Sequence, residues 1–269
     1  MKESPSVRQL VKNAPDYFAL ARVLLAQARG GDAAAEYALW ALHVACYESR
    51  AHYLVQDKGH AIGWSEAIQK AARLNLPIEE AKKEYDRCHS YFSEDSSDLG
   101  DAMEWLQRAT DASYAPAQAQ TANLRLLQDQ LKSFERSGAV PTGYGLLPPI
   151  GGDANPRDLL RSAVTSLDPD VIQQIGELVP MLNPSESPEA SQMERAAWIY
   201  VACERGADCS AYGEPDMGYC TPREPNCVGV PEVLLEMTDN NWIPVRQRAD
   251  EINAKLNAHQ WNELGLGPS

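Results

Sequence analysis

The chain has 269 residues, 44% apolar and 23% charged, a balance typical of a globular protein that buries a core. Its formal net charge of −14 repels nucleic-acid phosphates and anionic membranes, so we expect neither as a partner. The uninterrupted apolar runs are too short to span a bilayer.

Alanine, glycine and proline divide the chain into two parts. Residues 1–135 contain 24 Ala and nine Gly plus Pro, whereas residues 136–269 contain 26 Gly plus Pro. Alanine favours helices, whereas glycine and proline disfavour them, so the first part should be almost all helix. Any strand should be confined to later loops, namely the Gly/Pro-rich linker or the cysteine cluster. We therefore predict a helical repeat region at 1–136, a Gly/Pro-rich linker or loop at 137–157, and a helical C-terminal region at 158–269.

Capping residues place the ends of the helices. Asp16 and Asp32 precede apolar periodic segments as N-caps, and the Gly30-Gly31 pair ends the helix between them. Pro77 and Pro169 stand at first helical turns. The predicted helices cover 16–29, 32–55, 64–74, 77–91, 98–112, 116–136, 156–166, 169–178, 188–204, 231–237 and 244–258.

The turns between helices in the first part are similar to one another. Residues 28–36 (ARGGDAAAE) and 108–118 (RATDASYAPAQ) each end one helix, turn at a small residue and begin the next with alanines. A weaker copy covers 69–76 (QKAARLNL). Aligning Gly31, Asn75 and Ser113 gives spacings of 44 and 38, a degenerate period near forty that is typical of helix-pair solenoids.

Residues 19–125 resemble the Sel-like repeats, a subgroup of the tetratricopeptide-type repeats. The resemblance is carried by 30–39 (GGDAAAEYAL), 102–109 (AMEWLQRA) and 114–118 (YAPAQ). The chain departs from the pattern at Ser113, where the repeat usually has glycine, and at Thr121, where it usually has leucine. The resemblance implies an all-α solenoid whose concave face binds other proteins, and it implies no enzyme activity.

The six cysteines predict disulfides. No C-x-x-C pair is present and no histidine lies within the later group of four, which disfavours zinc, the alternative. We expect Cys46 to pair with Cys88, because each lies midway along one of two helices that a solenoid packs antiparallel. The other four should pair among themselves in one of three arrangements and staple the C-terminal region. They are Cys203, Cys209, Cys220 and Cys227.

Disulfides form in oxidising compartments, so we expect a periplasmic or secreted protein, with a cytoplasmic one as the alternative. The first residues lead into a polar stretch without signal-peptide character, so the signal sequence is expected to be absent from this chain. The segment 203–227 resembles C-terminal parts of uncharacterised exported proteobacterial helical proteins, which implies no activity.

The sequence contains no common catalytic signature, and we expect no metal and no cofactor. His43 and Cys46 lie three apart on a predicted helix, but a nucleophilic pair would need a reduced, exposed Cys46. The pairs Glu48–His52 and Glu80–Glu84 are typical of solvated helix faces. The acidic run 94–98 is interpreted as a turn that ends in a helix cap, with a cation site as the alternative.

We therefore predict a non-enzymatic scaffold that binds a protein or peptide. The candidate binding residues are aromatic, because Trp and Tyr are frequent anchors of interfaces. They are Tyr37, Trp40, Tyr47 and Trp105. At least half of the aromatic residues on the predicted helix 32–55 should nevertheless belong to the core. An inhibitor or immunity-type protein falls within this class, since an acidic surface can mask a basic partner. In the other interpretation, the acidic charge serves only to keep the protein soluble. The alternative to a binding scaffold is an enzyme whose site is assembled from distant residues.

Overall fold

The computed structural model describes residues 6–47, 50–57, 60–137, 154–183, 187–207 and 242–267. Within these ranges the chain forms twelve α-helices, two short 3-10 helices and one two-stranded hairpin, so the prediction of a mainly helical protein is confirmed. The helices are α1 (Val7–Asn13), α2 (Tyr17–Arg29), α3 (Ala33–Tyr47), α4 (Arg50–Val55), α5 (Trp64–Arg73), α6 (Ile78–Ser93), α7 (Ala102–Asp111), α8 (Ala115–Ser137), α9 (Pro156–Val164), α10 (Pro169–Leu182), α11 (Pro188–Glu204) and α12 (Trp242–Asn257).

The described residues form two compact units, one up to Ala112 and one from Ser113 onward. In the first unit α3 packs on α1, α2, α4 and α7, and α6 packs on α2, α4 and α5. In the second unit α10 packs on α8, α9 and α11, and α11 also packs on α12. The composition change at residue 136 does not coincide with this division, because α8 buries Ala119 and Ala122 in the core of the second unit. Most of the predicted linker, residues 138–153, lies outside the described residues.

Aspartates begin the helices where the sequence predicts it. The Asp16 carboxylate accepts a hydrogen bond from the Ala19 N–H at 3.0 Å, and Asp32 accepts from Ala34 at 3.0 Å and from Ala35 at 3.1 Å. Each carboxylate satisfies N–H groups that have no partner within the helix.

The three turns that the sequence aligned share one backbone conformation. Gly31, Asn75 and Ser113 have φ angles of 87°, 54° and 60°, in the left-handed region. The N–H groups just after Gly31 and Asn75 donate to the Gln27 and Ala71 carbonyls at 3.1 and 3.0 Å, which satisfies the helix end. The same conformation ends helices near residues 167, 206 and 259, so it is not confined to the predicted repeats.

A short hairpin interrupts the helices of the first unit. Gln56–Asp57 pairs antiparallel with His60–Ala61, so the prediction that strands occur only in later loops is wrong. Lys70 Nζ donates to the Gln56 carbonyl at 2.8 Å, and the Tyr85 hydroxyl donates to the Ile62 carbonyl at 2.9 Å. Side chains of α5 and α6 thus satisfy backbone groups beside the hairpin, which local helix propensity does not predict.

One disulfide crosslinks the first unit as predicted. Cys46 and Cys88 are joined with a Cα–Cα distance of 5.4 Å, and both are buried. Both cysteines were expected midway along their helices. Cys88 lies well inside α6, but Cys46 is the penultimate residue of α3, so the expected position is wrong for Cys46. Cys203 is also disulfide-bonded, and its partner lies outside the described residues. Cys209, Cys220 and Cys227 lie outside them too.

Replacing both Cys46 and Cys88 with alanine should lower the free energy of unfolding by about 2–4 kcal/mol. The bond closes a loop of 42 residues, and its loss restores conformational freedom to the unfolded chain. Urea denaturation of the variant beside the wild type, both without reductant, measures the difference. An unchanged free energy of unfolding would contradict the expectation.

Candidate functional site

The first unit contains an open cavity of about 180 Å³, which we call the aromatic cavity. Its walls come from α3, α6, α7 and the loop 94–101 that precedes α7. They are formed by Leu39, His43, Tyr47, Tyr91, Ser96, Leu99, Gly100, Ala102 and Trp105. Pockets for drug-sized ligands usually enclose roughly 300–1,000 Å³, so this cavity fits a single side chain or a similarly small group.

Helix α3 and the disulfide bring three rings together on one side of the cavity. His43 and Tyr47 are four residues apart on one helix face, and their rings stack with centroids 4.2 Å apart and an angle of 11°. Tyr91 meets both rings edge-on, at 6.3 Å from each. Because Tyr47 follows Cys46 and Tyr91 lies three residues after Cys88, the crosslink holds these rings side by side.

Trp105 closes the other side of the cavity and is fixed by the loop before α7. Its indole N–H donates to the Leu99 carbonyl at 2.6 Å. Gly100 has a φ of 79°, and a Cβ atom there would lie 3.1 Å from Trp105 Nε1. Glycine thus allows both the backbone conformation and the close approach of the loop to the ring.

An ion pair between a buried carboxylate and a partly exposed arginine lies behind Trp105. The Glu36 side chain is 3% exposed and pairs with Arg108 at 2.6 Å. The Arg108 guanidinium also donates to the Ala28 carbonyl at 3.1 Å and lies 4.6 Å from the centre of the Trp105 ring. One side chain therefore links the end of α2, the start of α3 and the wall of the cavity.

The loop that borders the cavity is acidic. Residues 94–101 (EDSSDLGD) include four carboxylates and no Lys or Arg. Hydrogen bonds from Ser97 lower the pKa of Asp95, and Asp101 caps α7 by accepting from the Glu104 N–H at 3.0 Å. Arg29 donates to the Asp98 carbonyl at 2.9 Å and ties the loop to α2. The run 94–98, interpreted from the sequence as an acidic turn, contributes Ser96 to the wall. We call the whole loop 94–101, which borders the cavity through Ser96, Leu99 and Gly100, its rim.

Burial favours the uncharged forms of two titratable wall residues, His43 and Tyr91. Burial lowers the pKa of His43 below its ordinary 6.5, although the charge of Asp101 opposes this shift. Burial raises the pKa of Tyr91, and the neighbouring Tyr47 adds to the effect. The formal charge near the cavity is carried by the acidic loop 94–101 and by the Glu36–Arg108 pair behind Trp105.

Two of the four predicted binding residues line the cavity. Tyr47 is 38% exposed and Trp105 is 8% exposed. Trp40 is 6% exposed and stacks on the half-buried Tyr37 with ring centroids 5.2 Å apart, and neither is a wall residue. The sequence missed the roles of His43, Tyr91 and Gly100. The spacing of His43 from Tyr47, and of Tyr91 from Cys88, could have indicated the first two.

The disulfide excludes the catalytic pair of His43 and Cys46 that the sequence offers. Cys46 has no free thiol because it is bonded to Cys88, so it cannot act as a nucleophile with His43. Glu48 lies outside the described residues, and its pairing with His52 stays a prediction. Among the described residues, no three His, Cys, Asp or Glu side chains are grouped so that they could hold a metal ion.

No family model matches the chain, and no curated protein or solved structure is significantly similar to it. Within the described ranges, none of the helices has both the length and the apolar character needed to cross a membrane.

Acidification should destabilise the protein in part through His43. The unfolded chain binds a proton at an ordinary pKa, and the folded chain binds it at a lower one. The stability contributed by the neutral, buried ring is present above pH 6.5 and is lost as the pH falls through the folded pKa. Urea denaturation measures the free energy of unfolding at about pH 7.5 and at about pH 5. The decrease between these two pH values should be smaller for His43→Phe than for the wild type.

His60→Gln is the control for this comparison, because His60 is exposed on the hairpin. This variant should keep the pH dependence of the wild type. Equal pH dependence in His43→Phe and the wild type would show that the folded state does not hold His43 neutral.

Gly100→Ala should lower the free energy of unfolding by about 1–3 kcal/mol, because the new methyl group combines an unfavourable φ with a close contact to Trp105. Gly31→Ala is the matched control, since Gly31 has a φ of 87° but its Cβ would have no heavy atom within 4 Å. Thermal and urea unfolding should show the larger loss at Gly100. Equal losses would mean that the contact with Trp105 is unimportant.

Proposed function

We propose that this chain is a non-enzymatic scaffold that binds another protein or peptide through the aromatic cavity. The main observation in support of this proposal is that Tyr47 is exposed on the wall of the cavity. The other aromatic rings of the wall are held in place by contacts within the protein. Tyr47 stacks on His43 and lies 4.7 Å from the Phe92 ring, so little conformational freedom is lost when a partner contacts it. Held aromatic side chains of this kind are frequent anchors of protein interfaces.

The alternative is an enzyme whose site is assembled from distant residues. A neutral His43 within the cavity favours it, because a neutral imidazole can accept a proton. His43 stacks on Tyr47 and meets the edge of Tyr91, contacts that orient the ring without increasing its basicity. The small volume of the cavity also suits an inserted side chain better than a substrate with its reacting partner.

We further propose that residues 19–125 are Sel-like repeats arranged as a solenoid. The left-handed turns at Gly31, Asn75 and Ser113 support this, because they occur at the positions that the repeat alignment places together. The Cys46–Cys88 disulfide supports export to an oxidising compartment, the periplasm or the cell exterior. An inhibitor or immunity-type protein fits this setting, since both act by occupying a partner's surface.

The experiment begins with the immobilised full chain, extract of the source cells and identification of the retained protein by mass. The affinity of that purified partner is then measured for Tyr47→Ala and for Tyr53→Ala. Tyr53 is 65% exposed and is not a wall residue, so it provides a matched control. Tyr47→Ala should weaken binding by about 2 kcal/mol, roughly thirtyfold, and Tyr53→Ala should leave it unchanged.

Circular dichroism melting of each variant checks that a loss of binding is not a loss of folding. Hydrogen exchange with and without the partner should show protection in α3, α6 and the loop 94–101. Equal affinities for the two tyrosine variants, or protection confined to residues 158–269, would contradict the proposed site.

A further inference from the structure

The walls of the aromatic cavity offer ring surfaces without formal charge. Tyr47, Tyr91 and Trp105 contribute the rings, and burial keeps His43 neutral, so no positive charge lies in the wall. The face of an aromatic ring carries negative electrostatic potential and attracts a cation within about 6 Å of the ring centre. The walls therefore suit a positively charged group better than an anion.

The negative charge of the loop 94–101 also favours a positively charged group. Glu94, Asp95, Asp98 and Asp101 all belong to the loop whose residues Ser96, Leu99 and Gly100 form part of the wall. Asp101 directly precedes the wall residue Ala102, and its charge acts on His43 inside the cavity. This side of the cavity therefore attracts cations.

The neighbouring positive charges do not cancel this rim. Arg108 is paired with the buried Glu36. Arg29 donates to the Asp98 carbonyl, and its single charge stands against four carboxylates. A cation entering from solvent thus meets net negative charge.

The first unit already uses the same interaction in its own structure. Arg108 lies over Trp105 at 4.6 Å, Lys82 over Trp64 at 5.2 Å and Arg87 over Tyr17 at 5.7 Å. Each places a cationic side chain against an aromatic ring in the arrangement that we infer for the cavity.

We propose that the aromatic cavity receives a lysine or arginine side chain of the partner, held between the rings of the wall and the carboxylates of the loop 94–101. The inference rests on the proposed binding function and states the chemistry that the partner must present. A volume of about 180 Å³ accommodates one such side chain, and the opening to solvent lets the partner backbone lie outside.

The test is a nuclear magnetic resonance titration of the isotope-labelled full chain with three blocked pentapeptides. They have the sequence Gly-Ser-Xaa-Ser-Gly, where Xaa is lysine, arginine or norleucine, which has an aliphatic chain like that of lysine but no charge. The lysine and arginine peptides should shift the Trp105 indole N–H and the Tyr47 ring signals saturably. The norleucine peptide should bind about fivefold more weakly or not at all.

Asp101→Asn tests the contribution of the rim. Asparagine can still cap α7, so the variant removes the charge and keeps the hydrogen bond. The Asp101→Asn variant should bind the lysine peptide about threefold to fivefold more weakly than the wild type does. Asp32→Asn makes the same change at the cap of α3, outside the cavity wall, and should leave the affinity unchanged.

Three outcomes would overturn the inference: no saturable shift with lysine or arginine, equal binding of the norleucine peptide, or equal effects of Asp101→Asn and Asp32→Asn. In each case the proposed binding function is still supported if Tyr47→Ala lowers the affinity for the natural partner. If instead the cationic peptides bind as expected but Tyr47→Ala leaves the partner unaffected, the cavity binds cations and the proposed function is wrong.

Discussion

The ion pair between Glu36 and Arg108 connects three helices of the first unit and the wall of the aromatic cavity. A carboxylate buried to this degree needs a compensating charge, and Arg108 supplies it at 2.6 Å. The same guanidinium binds the last turn of α2 through the Ala28 carbonyl and covers the Trp105 ring. The positions of α2, α3 and α7 are consequently coupled, and the wall that Trp105 forms depends on all three.

Helix α3 is held at both ends by different means. Near its start Glu36 binds α7 through charge, and near its end Cys46 binds α6 through a covalent bond. His43 and Tyr47 lie on the stretch that follows the ion pair, so their orientation is determined by long-range contacts as well as by the helix itself. Helix α3 also packs on α1, α2 and α4. Together with the two attachments, this packing explains how the exposed Tyr47 can form part of a defined cavity wall.

Local chemistry predicts much of the fold and only part of the site. Asp16 and Asp32 identified the starts of two helices, because a single side chain forms each N-cap hydrogen bond. The disulfide between Cys46 and Cys88 was predicted from the cysteine count and the helical pattern. Burial was harder to predict, since Trp40 and Tyr47 share one helix and only packing separates the core residue from the exposed one. The acidic loop 94–101 gave no sequence sign that it borders a cavity, because the rings opposite it come from residues 43–47 and 91.

The disulfide also determines how the first unit responds to proteases. Cys46 and Cys88 close a covalent ring in the chain, so a single backbone cut between them creates two new ends but releases no fragment. Helices α3 and α6 stay joined after such a cut, and the rings that they place beside the cavity stay tethered. In a helical protein held only by packing, the two pieces made by the same cut share no covalent bond and are free to dissociate. The rings beside the cavity therefore stay connected after a peptidase cuts within the segment that the crosslink encloses.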